Sequence, residues 1–206
     1  MLTGDLVIPD AASGLVIFAH GSGSSRLSPR NRSVAATLQQ AGLATLLLDL
    51  LTPDEERRDA VTASYRFDIS LLASRLVSAI DWARSAAETR AHPIALFGAS
   101  TGAAAALVAS AERPDRIHAV VSRGGRPDLA GASLARVRAP TLLIVGGFDT
   151  EVIALNRSAA QRLRCDHELT IVPRATHLFE EAGALDQVAT LTGRWINQHL
   201  APIAVG

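Results

Sequence analysis

A mainly parallel β-sheet covered by helices on both faces is the fold class this sequence predicts, and three observations carry it. Almost unbroken apolar runs, such as Gly14 to His20 and Ala44 to Leu50, have the pattern of strands buried on both faces. Between the runs lie segments with apolar residues at helical spacing, the alternation of β-α-β units. The third observation is Pro93 to Gly102, read P-I-A-L-F-G-A-S-T-G, in which a short strand meets a tight turn just before the alanine-rich segment Ala103 to Ala111.

Leu2 to Ile8 reads as a short leading strand closed by Pro9-Asp10. Gly14 to His20 follows as a buried strand and runs into the polar turn Gly21-Ser22-Gly23-Ser24-Ser25. Asn31 to Gln40 has helical spacing, with Val34, Ala35, Leu38 and Ala41 on one face and Gly42 as a stop. Ala44 to Leu50 is the next buried strand. Thr52 to Asp68 is polar and charged and reads as a surface loop with a helical turn at Pro53 to Glu56. Asp68 to Ala87 is an amphipathic helix, with Leu71, Leu72, Leu76, Ile80 and Ala83 recurring at three and four. After the Ile94–Phe97 strand and its helix come a strand at Ile117 to Ser122 and a short helix at Leu129 to Val137. A strand at Thr141 to Val145, a helix at Val152 to Leu163, a strand at Glu168 to Pro173 and a helix at Ala184 to Leu200 complete the chain. No repeat, low-complexity tract or linker divides it, so residues 1–206 read as one domain.

Hydrophobic residues make up 48% of the chain and charged residues 19%, enough for a sizeable core. The net charge is zero, which disfavours nucleic acid and acidic membrane as partners. All 20 basic residues are Arg, so lysine Schiff-base chemistry is excluded. The single Cys165 cannot form an internal disulfide. With no signal-like N-terminus and no apolar run of membrane length, a soluble cytoplasmic protein is the expectation. Homo-oligomerisation is left open.

In open parallel sheets the ligand sits beyond the carboxyl ends of the strands. His20-Gly21-Ser22, Ser100, Asp149 and His177 all follow predicted strands. Gly98-Ala99-Ser100-Thr101-Gly102 has the G-x-S-x-G form of a nucleophile elbow, a turn so tight that the positions two before and two after the serine must be small. A serine hydroxyl needs a base, and the base needs an acid to fix its tautomer. Of the six histidines, His92 and His118 lie at the amino ends of strands, and His167 and His199 are expected to face solvent. His20 is read as a brace for the glycine-rich turn. His177 is the expected base and Asp149 its orienter, in the chain order serine, acid, histidine. The oxyanion donors are expected to be the amide of Thr101 and an amide of the turn at Ser22. Neither an H-x-x-x-H pattern nor a paired-carboxylate cluster is present, so no metal is expected.

These pieces resemble the α/β-hydrolase superfamily, and within it the small dienelactone-hydrolase-like hydrolases. The resemblance runs from Gly14 to Leu200. It is carried by F-A-H-G-S-G-S-S at 18–25, L-L-L-D-L at 46–50, R-F-D-I at 66–69, F-G-A-S-T-G at 97–102, L-L-I-V-G-G-F-D at 142–149 and A-T-H-L-F at 175–179. It implies a single-domain α/β-hydrolase fold and hydrolysis of a small-molecule ester through an acyl-enzyme, without metal or organic cofactor. Dienelactone hydrolase itself has a cysteine at the elbow and an acidic residue before the oxyanion donor; here Ser100 and Gly21 stand at those places. The general serine-hydrolase reading is the one these positions favour. Ser122 to Thr141 is too short for a lid domain, which suits small or exposed esters. Amide, thioester or lactone hydrolysis on the same fold, and a non-enzymatic binding relative, are the alternatives. Arg123 and Arg126 follow the strand after the elbow helix. Arg123 is expected either to hold an acid group of the substrate or to pair with Asp128 or another nearby acid and stiffen its turn.

Overall fold

The computed structural model describes residues 2–200. Seven strands form one sheet: β1 (Gly4–Val7), β2 (Leu15–Ala19), β3 (Ala44–Leu48), β4 (Ile94–Ala99), β5 (Ile117–Arg123), β6 (Thr141–Gly146) and β7 (His167–Val172). Their order across the sheet is β1-β3-β2-β4-β5-β6-β7. Only β1 runs antiparallel, and the remaining neighbours are parallel. β2, β3, β4 and β6 are buried at every residue, as their unbroken apolar runs predict.

Alternate strand residues feed two cores. Leu15, Ile17, Leu96, Val120 and Leu143 pack against α3 (Ile69–Ser85) and α4 (Thr101–Glu112). Val16, Phe18, Phe97, Val121 and Ile144 pack against α1 (Pro29–Gln40) and α6 (Ala184–Leu200). α5 (Thr150–Ala160) adds Val152 and Ile153 against Val145. The helix after the elbow is the most deeply placed of these, with ten of its twelve residues buried. Its alanines allow the close approach that a bulkier helix would prevent.

Three expectations need correcting. The stretch read as a surface loop contains a ten-residue helix, α2 (Pro53–Thr62). Thr52 and Glu55 cap it reciprocally, and three acidic residues occupy its first turn. A polar composition hid a strong start signal. The predicted helix at Leu129 to Val137 is instead a 3₁₀ segment, Pro127–Arg136, broken at Gly131 where φ is 55°. His199 does not face solvent: its ring packs on Trp195 at 4.3 Å between centroids, and Nδ1 donates to the Trp195 carbonyl at 2.8 Å.

Candidate active site

Ser100 follows β4 directly and has φ 51° and ψ −122°. A side-chain-bearing residue in such a conformation stores strain on the order of 1–3 kcal/mol. The surrounding backbone fixes it: the Ser100 amide donates to the Arg123 carbonyl at 3.2 Å, and the Ser100 carbonyl accepts from the Arg126 amide at 3.1 Å. The flanking glycines are sterically required. A Cβ at position 98 would lie 2.4 Å from the Ala103 Cα, and one at position 102 would lie 2.2 Å from the Ala19 carbonyl oxygen.

Asp149 lies in the turn after β6 and His177 in the turn after β7. Their side chains meet, with His177 Nδ1 2.6 Å from Asp149 Oδ2. A carboxylate accepts only, so Nδ1 carries the proton and Nε2 is left as the basic nitrogen. The two turns are locked together, the Phe148 amide donating to the Ala175 carbonyl at 2.9 Å. Buried Phe179, at φ 57°, pins the far side of the histidine turn. The elbow faces this turn across the end of β5. A Cβ on Gly124, one residue beyond the Ser100 partner Arg123, would lie 3.0 Å from the His177 carbonyl oxygen and 3.6 Å from its Cε1. The acid–base half of the predicted triad is therefore hydrogen-bonded, whereas Ser100 Oγ is not bonded to His177 among the described residues. Bonds of this kind commonly tighten when substrate binds.

The glycine-rich turn sits against the elbow: a Cβ on Gly21 would lie 2.9 Å from the Ser100 Cβ. Ser22 and Thr101, the predicted oxyanion pair, are brought together. Ser22 Oγ lies 3.0 Å from Thr101 Oγ1 and donates to the Arg66 carbonyl at 3.3 Å. Thr101 is the first residue of α4, so its amide has no helical acceptor and stands at the positive end of that helix. The Ser22 amide makes no backbone hydrogen bond among the described residues. His20 braces the turn as its position suggests. Its Nε2 accepts from the Leu50 amide at 3.0 Å, which leaves Nδ1–H to donate to the Gly21 carbonyl at 3.0 Å. Burial pulls the pKa of this imidazole below its usual value, against the raising influence of Gly21 and Asp49.

Sequence reasoning missed the anchor beneath this turn. Asp59, buried in α2, accepts from the Tyr65 and Arg66 amides at 2.7 and 3.0 Å and from Arg66 Nε at 2.7 Å. Burial acts to raise the Asp59 pKa, but these hydrogen bonds outweigh it and hold the carboxyl below its usual range. The Thr52–Glu55 capping pattern was the available signal, since it places Asp59 on a helix rather than in a loop. A cavity of about 560 Å³ lies between this anchor, the glycine-rich turn and the start of α1, with Ser22, Thr101, Arg30 and Arg66 in its wall.

Asp128 pairs with Arg126, at 2.9 and 2.8 Å, and not with Arg123. Arg123 is only 7% exposed, and its Nε and Nη1 have no partner among the described residues. Burial, with the charge of Arg30 adding to it, lowers its pKa to about 10. It remains cationic at neutral pH.

A family model described as alpha/beta hydrolase fold matches residues 14–185. The chain belongs to the α/β-hydrolase family. Within this α/β hydrolase, similarity to a dienelactone hydrolase structure from Anabaena variabilis is extensive: 61% identity, a TM-score of 0.95, and coverage of 96% of this chain and 92% of that one. Est1E from Butyrivibrio proteoclasticus, at 16% identity and a TM-score of 0.80 over 97% of this chain and 95% of its own, shares the fold. The chain is also 56% identical over 199 residues to a Mycobacterium tuberculosis protein named a phosphoribosyl transferase. The match covers 97% of this α/β hydrolase and 44% of that protein, so the chain spans about half of that relative's length. No helix among the described residues is long and apolar enough to cross a membrane.

Proposed function

We propose that this α/β hydrolase cleaves small carboxylic esters through an acyl-enzyme. The observation that carries the reading is the strained Ser100 at the elbow, on the same rim as the 2.6 Å Asp149–His177 pair. In the proposed cycle His177 Nε2 takes the Ser100 proton as Oγ attacks the ester carbonyl. The negative charge on the carbonyl oxygen is met by the Thr101 and Ser22 amides. Collapse expels the alcohol, protonated by His177, and leaves an acyl-serine. A water activated by the same imidazole then hydrolyses it. Asp149 keeps the proton on Nδ1 throughout and stabilises the transient imidazolium.

Lactones are a second substrate class, favoured by the 61% identity to a dienelactone hydrolase. A lactone is a cyclic ester, and the same steps open it. We read the transferase name of the mycobacterial protein as belonging to the part of that protein outside the match, because the match covers 44% of it and the chain it matches is an α/β hydrolase. Arg123 is proposed to meet an anionic group of the substrate.

The test is hydrolysis of p-nitrophenyl acetate by the parent and by Ser100→Ala. The alanine variant is expected to lose about 10³-fold or more in kcat with unchanged circular dichroism. An alanine variant as fast as the parent overturns the reading. Chelator is expected to leave the rate unchanged, and a rate lost to EDTA and restored by zinc would contradict the triad.

A further inference from the structure

We propose that Arg123, Arg30 and the first turn of α1 form a binding site for a phosphoryl dianion on the substrate. The guanidinium of Arg123 is buried with two of its three nitrogens unpartnered among the described residues. Its third, Nη2, reaches only the neutral Asn31 Oδ1, at 3.5 Å. Arg30 Nε is likewise buried without a partner. Buried cations are ordinarily matched by a carboxylate, and even partly exposed arginines of this chain have one. Arg66 has Asp59, Arg126 has Asp128, and Arg26 has Asp5 and Asp49. Here the sole carboxylate paired with either arginine among the described residues is Glu180, 3.2 Å from Arg30 and 64% exposed.

The helix start adds to the positive potential. The first turn of α1 contains no acidic residue, Pro29 has no N–H, and Ser28 caps the Asn31 amide. The Arg30 amide makes no backbone hydrogen bond among the described residues. Two guanidiniums and the positive end of a helix therefore converge with one exposed counter-charge. A monoanion would neutralise one guanidinium, whereas a phosphoryl group supplies two charges and several acceptors to the unpartnered N–H groups. Arg30 also lines the cavity that begins at Ser22 and Thr101, so an ester held at the elbow could extend its phosphoryl group toward α1. That last step rests on the ester-hydrolase reading; the anion site itself does not.

The experiment is calorimetric titration of inorganic phosphate at fixed ionic strength into the parent, Ser100→Ala, Arg123→Gln and Arg30→Gln, with acetate as the monoanion. The site predicts equal phosphate binding by the parent and Ser100→Ala, at least tenfold weaker binding by each arginine variant, and at least tenfold weaker binding of acetate. Phosphate affinity unchanged by the substitutions, acetate bound as tightly as phosphate, or no phosphate binding at all overturns it. Should Arg123→Gln not fold, the half-buried Arg30 carries the test, and unchanged affinity in Arg30→Gln is decisive against the site. Because binding is read without turnover, a protein inactive on every ester yet binding phosphate would sink the hydrolase reading alone. An active esterase indifferent to phosphate would sink the site alone.

Discussion

At the carboxyl ends of β2, β4, β5, β6 and β7 the chain places His20, Ser100, Arg123, Asp149 and His177; at the amino ends of β4 and β5 it places His92 and His118. The same residue type behaves differently at the two ends. His177 meets Asp149 at 2.6 Å, and His20 is buried between two backbone partners. His118 lies exposed beside a hollow of about 270 Å³ that it shares with Arg84, Asp115 and Arg116. Turns at the carboxyl end can diverge from the sheet and converge on one point, because each parallel strand delivers its chain to the same rim. The lesson is that at the carboxyl ends His20 and His177 are held by hydrogen-bond partners from the rim, whereas His118 at an amino end is exposed.

Substitutions that break this contrast are expected to lose effect as they move away from the carboxyl rim. Asp149→Asn should lower kcat by about 10⁴-fold, since an amide facing Nδ1 favours the wrong imidazole tautomer. Steady-state kinetics checks this, and a loss below tenfold would remove Asp149 from its role. Gly102→Ala should destabilise the fold by about 3 kcal/mol or more, read as the urea midpoint, because its Cβ would strike the Ala19 backbone at the elbow.

His20 gives a subtler signature. Its folded pKa lies below the unfolded value of 6.5, so the unfolded chain binds more protons in the window beneath that value. The stability it contributes is fully present above pH 6.5 and is lost as pH falls through the folded value. Urea midpoints measured from pH 7.5 downward should therefore decline below about 6.5, and the decline should shrink in His20→Gln. A parent midpoint that stays level through that window contradicts the brace. At the other end of the sheet, His118→Ala should change kcat/KM by less than twofold and stability by no more than about 0.5 kcal/mol.

Much of the carboxyl rim was legible in the sequence because it depends on small residues at fixed spacing. Gly98, Ser100 and Gly102 declare a turn that tolerates nothing larger, Asp149 follows the apolar run of β6, and His177 follows the shorter, partly polar strand β7. What lay hidden depends on contacts distant in sequence. The Arg66–Asp59 anchor needed α2 to be recognised as a helix, and its polar surface masked it. His199 reads as solvent-facing because it is polar, although its position four residues after Trp195 and three after Ile196 puts its ring on the buried face of α6. Whether Arg123 is paired stayed open in the sequence, because Asp128 five residues on was a candidate partner, and the fold gives Asp128 to Arg126.

A fluorophosphonate probe tests most directly whether Ser100 is the nucleophile at the centre of this rim. The parent should gain the mass of one adduct, mapped by peptide sequencing to Ser100. Asp149→Asn should label far more slowly, and folded Ser100→Ala should not label. An adduct mapped to any other residue, or Ser100→Ala labelled as fast as the parent, would contradict the assignment.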